Sequence, residues 1–255
     1  MLLPVFATFV ASVGAVEVPY SNDFSGTGGN VAFANETLDA NWTVSNGQYV
    51  HSINTGTTTA VARAATIQLT NTPAAFSMST EFTVTASSAS SATQGATYGL
   101  AAFGAEPTLA GTSVTSSYYL ADLSYGATTT LRIVKVNGSN ATLVSVSDAA
   151  YKITLGTTYS LKLNVLQSAG SVSMTFGLYD TNNNLIGSSV TGTDSSSPLS
   201  GDYFGLRNRY QANTTFTTSY DNFNITPIPE PSTLAMLAGG LAMGVAMVSR
   251  RARRS

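Results

Sequence analysis

The chain is predicted to be all-β: antiparallel strands paired into a β-sandwich, followed by one C-terminal transmembrane helix. Three observations predict this. Apolar and polar residues alternate along many short stretches, the period-two signature of strands with one dry and one wet face. Turn dipeptides separate those stretches at short intervals. Only 9 % of the 255 residues are charged, against roughly 25 % in ordinary soluble domains, while 68 are Ser or Thr. A chain so poor in Lys and Glu is poor in helix formers, and Thr, Val and Tyr suit a pleated surface.

In chain order, residues 1–15 read as a secretory signal peptide. An apolar run from Leu2 to Val13 meets the small residues Gly14 and Ala15. Val13 and Ala15 suit the positions before a cut, so cleavage is expected after Ala15. No Lys or Arg precedes the run, which departs from the usual pattern. Residues 16–226 then form one body with no repeat and no shift in composition. In "FSMSTEFTV", Phe76, Met78, Phe82 and Val84 share a face with Thr80, and Ser77, Ser79, Glu81 and Thr83 take the other. Val172, Met174, Phe176 and Leu178 alternate in the same way, as do Leu161, Leu163 and Val165. Asn46-Gly47, Asn137-Gly138 and the Asp180–Asn184 stretch are the turn signals of hairpins. About a dozen strands are expected between residues 40 and 226, with no helix before the tail. Thr85–Thr97 is low in complexity and is expected to be a loop. Trp42 is expected in the core.

The body carries 7 Lys and Arg against 12 Asp and Glu, a net charge of −5. It is a poor partner for nucleic acid, which demands clustered cations. There is no Cys, so disulfides, thiolate metal sites and Cys nucleophiles are excluded. His51 is the only histidine; within "QYVHSI" it reads as a packed or solvated strand residue rather than a general base. No Glu has a second carboxylate two residues away. The paired acids that glycoside hydrolysis requires would have to come from separate strands, such as Glu81 with Asp122 or Asp221. A non-catalytic protein is therefore expected. Asp180, Asn182 and Asn184 match the first oxygen positions of a calcium loop, but Leu185 stands where Gly belongs and no Glu closes the loop. They read as a self-bonded turn, and one structural calcium ion at a sandwich edge is the single cofactor left open. Trp42, Tyr118, Tyr119, Tyr125, Tyr203 and Tyr210 are the large aromatics that could stack on a sugar, or simply fill strands. Arg207 and Arg209, two apart, point to one face of a strand. They could grip a carboxylate- or sulfate-bearing polysaccharide; a solvated face is the simpler reading. With Tyr118 and Tyr210 they form the candidate glycan-binding set.

The last 29 residues, 227–255, differ in kind. Pro227, Pro229 and Pro231 keep the chain extended. Thr233–Ser249 is 17 residues without a charge, a helix of ~26 Å near the short limit for a membrane crossing. Arg250, Arg251, Arg253 and Arg254 follow and are retained on the cytoplasmic side. The Pro229-Glu230-Pro231 motif, the apolar segment and the Arg cluster, in that order, resemble the PEP-CTERM sorting signal. That resemblance implies recognition by an exosortase-type membrane processing enzyme and removal of the tail near the motif.

The order of segments in the body resembles the concanavalin A-like, laminin-G-like jelly rolls. The matching pieces are "SNDFSG…NWTVSNGQYV", "FSMSTEFTV", "YGLAAFG", "YYLADLSYG", "YFGLRNRY" and "TSYDNFNIT". The resemblance implies an antiparallel jelly-roll sandwich, a fold that hosts lectins, glycosidases, lyases and adhesion modules. The expected protein is secreted, sorted to the cell surface or an exopolysaccharide matrix, and binds extracellular polysaccharide or fills the matrix. A carbohydrate-active enzyme on the same fold is the alternative.

Overall fold

A computed structural model describes residues 17–25, 34–35, 42–53, 61–87, 95–106, 116–126, 128–210 and 215–229. Among the described residues, fifteen strands build two antiparallel sheets. In chain order they are β1 (Tyr20–Asn22), β2 (Ala34–Asn35), β3 (Trp42–Ser45), β4 (Gln48–Ile53), β5 (Val61–Gln68), β6 (Ala75–Ser87), β7 (Ala96–Gly104) and β8 (Tyr118–Tyr125). There follow β9 (Thr130–Val136), β10 (Asn140–Ser147), β11 (Thr158–Ser168), β12 (Ser171–Tyr179), β13 (Leu185–Asp194), β14 (Tyr203–Tyr210) and β15 (Phe216–Pro227). One sheet runs β13-β12-β11-β6-β15-β4-β3, with β1 also on β15; the other runs β10-β9-β8-β7-β14-β5-β2. The expected two-sheet sandwich is present, with thirteen strands from β3 to β15 where about a dozen are expected, two short strands before them, and one 3-10 turn at Ala149–Tyr151.

The alternation places the strands as expected. Phe76, Met78, Thr80, Phe82 and Val84 are buried, and so are Val172, Met174, Phe176, Leu178, Leu161, Leu163 and Val165. Each buried Phe or Leu contributes about 1.5–3 kcal/mol. The hairpins close where the turn dipeptides stand. Asn46 (φ 53°) and Gly47 (φ 71°) join β3 to β4, both left-handed as the twist-matched two-residue turn requires. The Thr85–Thr97 stretch is not wholly loop. β6 continues to Ser87, because Ala86 and Ser87 pair with Thr217 and Phe216 of β15, and β7 already begins at Ala96.

Aromatic rings bind the sheets together: Phe76 of one sheet meets Phe204 and Phe103 of the other at 5.6 Å and 5.8 Å, edge-on, the preferred geometry of such pairs. Trp42 is buried, as expected, and stacks on His51 at 4.2 Å. His51 is fully buried and packed, its Nδ1 3.1 Å from Asn208 Nδ2, while the Tyr220 hydroxyl donates to Asn208 Oδ1. A second polar cluster ties the sheets at one end. Asp194, the last residue of β13, accepts from the Tyr119 hydroxyl at 2.6 Å and from the Ser196 N–H at 2.9 Å, and Lys135 Nζ lies 2.8 Å away. Lys135 also donates to the Ser196 and Ser197 carbonyls, and the Leu199 N–H donates to the Tyr119 oxygen. The crossover from β13 to β14 is thus fastened to β8 and β9.

No helix among the described residues is long and apolar enough to cross a membrane. The expected signal peptide (1–15), Glu230, Pro231, the apolar segment 233–249, and Arg250, Arg251, Arg253 and Arg254 lie outside the described residues. What is described of the tail is still held to β6. The Ile228 N–H donates to the Ala75 carbonyl at 2.9 Å, and Thr226 through Pro229 are exposed.

Candidate functional site

Each sheet has an outer face, and the two differ. Across the seven-stranded sheet, register places Ala64 (β5), Arg207 (β14), Gly99 (β7), Asp122 (β8) and Arg132 (β9) in one row. The adjacent row contains Arg209, Thr97, Ser124 and Thr130. Neighbouring outward positions hold Tyr118, Leu120, Val134, Val136 and Ala101, an apolar cluster separate from the inter-sheet core. These apolar side chains are buried, as are Arg207 and Asp122, so the charged groups of the two rows that reach solvent are Arg209 and part of Arg132.

Arg207 and Arg209 do share a face, but they do not form a solvated pair. Arg207 is only 7 % exposed, whereas Arg209 is exposed. The Arg207 guanidinium carbon sits 5.5 Å from the centre of the Tyr118 ring, within cation–π range. It can lie flat because the outward residues of the intervening strand β7 are Gly99 and Ala101. A Cβ on Gly99 would meet the Ala121 carbonyl oxygen at 2.8 Å, Asp122 Cβ at 2.9 Å and Leu120 Cδ1 at 3.0 Å, so β8 already fills the space over this glycine and excludes a side chain here. Burial lowers the Arg207 pKa, with Arg209 and Arg132 pushing the same way against Tyr118 and Asp122. Burial raises the Tyr118 phenol, and Asp122 adds to this while Arg207 and Arg209 oppose it. Arg132 binds Asp122 with both prongs, Nε at 2.8 Å and Nη2 at 2.7 Å. Burial works against its charge, but the bonds to Asp122 hold its pKa above the usual value.

Tyr210 does not belong to this face. It is buried in the inter-sheet core against Phe216 at 5.6 Å, because its parity on β14 is opposite to that of Arg207 and Arg209. Trp42 and Tyr119 are core residues too. The sequence reading missed Gly99 and the Arg132–Asp122 pair.

The eight-stranded sheet presents Ser and Thr on its outer face, and these bond one another: Thr83 to Thr158 at 2.8 Å, Thr175 to Thr191 at 3.0 Å. Glu81 and Asp221 are direct cross-strand partners there. Burial raises the Asp221 carboxyl, and Glu81 and Asp23 add to it. Asp122 lies on the opposite face of the sandwich, so only Asp221 can pair with Glu81. Asp180 is a turn residue, in the self-bonded turn that the sequence reading favours. Its Oδ1 accepts the N–H groups of Asn182 and Asn184, and its Oδ2 accepts from the Asn184 side chain. Both carboxylate oxygens are thereby committed. No group of three or more His, Cys, Asp or Glu side chains placed to hold a metal ion occurs among the described residues.

No protein-family model matches the chain, and no curated protein matches it in sequence. Solved structures do resemble it in fold. The seed lectin of Lotus tetragonolobus aligns over 84 % of this chain and all of its own, with TM-score 0.51 and 11 % identity. Lectin I of Ulex europaeus, solved with the methyl glycoside of α-L-fucose, covers 82 % of this chain and 98 % of its own, with TM-score 0.50 and 13 % identity. A bifunctional GH43-CE protein of Bacteroides eggerthii covers 82 % of this chain but only 27 % of its own, with TM-score 0.51 and 14 % identity. The shared property at these identities is the two-sheet, lectin-like sandwich.

Proposed function

We propose that the chain is a non-catalytic glycan-binding protein, secreted and sorted to the cell surface or an exopolysaccharide matrix. The observation that carries the binding site is the Arg207 guanidinium stacked on Tyr118 beside the Arg132–Asp122 pair, on the outer face of the seven-stranded sheet. The guanidinium groups that reach solvent beside this cluster, Arg209 and part of Arg132, can bond sugar hydroxyls or carboxylates. The lectins among the structural neighbours support the reading at the level of fold. The test is a glycan array probed with the full chain in detergent. Binding to at least one polysaccharide, weakened in Arg209→Gln, is expected; a blank array refutes the site.

The sorting half of the proposal is supported by Pro229-Glu230-Pro231, the uncharged stretch 233–249 and Arg250, Arg251, Arg253 and Arg254. The exposed exit of β15 at Thr226–Pro229 offers an extended strip to an exosortase-type enzyme. Mass spectrometry of the surface-borne protein is expected to find a C-terminus near Pro231, and Glu230→Ala is expected to leave the tail attached. An intact end at Ser255 in the surface-borne protein means a plain tail anchor. A second reading, a carbohydrate-active enzyme, is favoured only by the Glu81–Asp221 pairing. It requires release of reducing ends that Glu81→Gln abolishes.

A further inference from the structure

Resting on the glycan-binding reading, we infer that the ligand is an acidic polysaccharide whose carboxylates are held by Arg207, Arg209 and Arg132. Charge distribution is the first argument. The body between the signal peptide and the tail has a net charge of −5. Among the outward side chains described on the seven-stranded sheet, however, three arginines face a single carboxylate, Asp122. Among the described residues, the opposite face of the sandwich carries Glu81 and Asp221 against one cation, Lys162. An anionic polymer meeting this protein is repelled by one face and drawn to the other.

The choice of cation is the second argument. All three are Arg, while Lys135 is engaged with Asp194 and Lys162 with Asn183 elsewhere. The planar guanidinium fork matches a carboxylate with two parallel bonds, which an ammonium cannot do. This face already makes one such pair, Arg132 with Asp122. Because both Asp122 oxygens are bonded by Arg132, the lone carboxylate of the face is neutralised rather than repelling a ligand.

Spacing is the third. Arg207 and Arg132 occupy one row, three strands apart, or about 14 Å at ~4.8 Å per strand. Arg209 lies two residues along β14 from Arg207, about 7 Å. Between the two ends of the row, Gly99 is buried beneath Asp122 and Leu120, so β7 adds no side chain of its own to the row. Tyr118, Leu120, Val134 and Val136 flank the row as a buried apolar cluster, of which Tyr118 carries the Arg207 guanidinium. A polymer bearing an acid on successive units meets more than one guanidinium at once. Arg207 forms the floor, and the exposed Arg209 and the Arg132 side chain, 29 % exposed, form the approaches.

The experiment measures binding of the full chain in detergent to sodium polygalacturonate, to the same polymer with its carboxyls reduced to alcohols, and to dextran sulfate, alongside the glycan array. Binding to polygalacturonate, about tenfold or more weaker binding to the reduced polymer, and about tenfold weakening by Arg207→Lys are expected, the size of one lost charge-assisted bond pair. Lys keeps the charge and loses the fork. Arg209→Gln, at an exposed position, supplies the second readout should Arg207→Lys perturb folding; it must weaken the uronate polymer and leave the reduced one unchanged. Equal binding to acidic and reduced polymers overturns the acidic ligand and leaves the glycan reading standing. Equal binding to dextran sulfate, or unchanged binding by a folded Arg207→Lys, reduces the site to diffuse charge and overturns the carboxylate fork. A blank array and no binding to any polymer overturn the glycan reading itself.

Discussion

Replacing Asp194 by Ala tests what fastens the β13–β14 crossover and, through it, the strand that carries Arg207 and Arg209. Asp194 is 4 % exposed and Lys135 13 % exposed, so this is a buried pair and not a surface one. Surface pairs contribute about 0–1 kcal/mol, but stranding one partner of a buried pair costs about 3–5 kcal/mol. The substitution removes the counter-charge of Lys135, which keeps its bonds to the Ser196 and Ser197 carbonyls, and strands the Tyr119 hydroxyl and the Ser196 N–H, so the larger figure applies. In a body of this size about 2–4 °C of melting temperature corresponds to 1 kcal/mol, and a fall of roughly 6–20 °C is expected by calorimetry or circular dichroism. The effect also depends on pH. Burial opposes ionisation of Asp194, but the bonds from Lys135, Tyr119 and the Ser196 N–H hold its carboxyl below the ordinary value. A depressed folded pKa gives stability that is present above the unfolded value, about 3.9, and lost as pH falls through the folded one. The gap between wild type and Asp194→Ala must therefore narrow below about pH 4. The double variant with Lys135→Ala should lose less than the sum of the single losses. A fall under ~2 °C, less than 1 kcal/mol on this scale, or a gap that does not change on acidification, refutes the account.

Two further changes probe charge and satisfaction in the eight-stranded sheet. Asp221→Asn is expected to raise the melting temperature by about 1–4 °C, because like charges directly opposite in a sheet cost about 0.2–1 kcal/mol. Asn retains an acceptor for the Asn222 N–H that Asp221 Oδ1 binds at 2.7 Å. Since the folded Asp221 carboxyl is raised, wild type should lose stability as pH rises from about 3.9 through that raised value, and the variant should not; parallel pH profiles would count against the pairing. Thr218→Val is expected to stabilise by about 1 kcal/mol in urea melts, because Thr218 is fully buried and its Oγ1 has no partner among the described residues. A loss of stability would mean that the hydroxyl is bonded after all.

Legibility followed the number of faces each strand buries. β6, β11 and β12 bury one face, so their residues alternate and the sequence pattern marks them directly. β7, "ATYGLAAFG", is buried at every position, and its period-two signal disappears because Gly99 and Ala101 lie under the outer-face cluster while Tyr98 and Leu100 lie in the core. The extension of β6 and β7 into Thr85–Thr97 escaped notice for a related reason. Small Ser and Ala residues carry little pattern, and it is pairing with the distant β15 and β14 that makes them strands.

The candidate site divides along the same line, between what a short loop fixes and what only long-range pairing fixes. Asp122 and Arg132 stand equidistant from position 127 between two consecutive antiparallel strands. A hairpin register centred there pairs them, so this contact was present in the sequence and could have been found by counting. Arg207 offers no such count. Its burial follows from lying across Gly99 and Ala101 onto Tyr118, and Gly99 is 108 positions away along the chain and paired to it only through the β14–β7 register. A residue scale assigns every arginine to solvent, and for Arg209 that is correct. For Arg207 the neighbours decide, because two small residues on one adjacent strand and an aromatic ring on the next turn a solvated cation into a buried one. The parity rule that put the two arginines together would also have removed Tyr210 from the set: from 207 to 210 is an odd step, and an odd step along a strand changes faces.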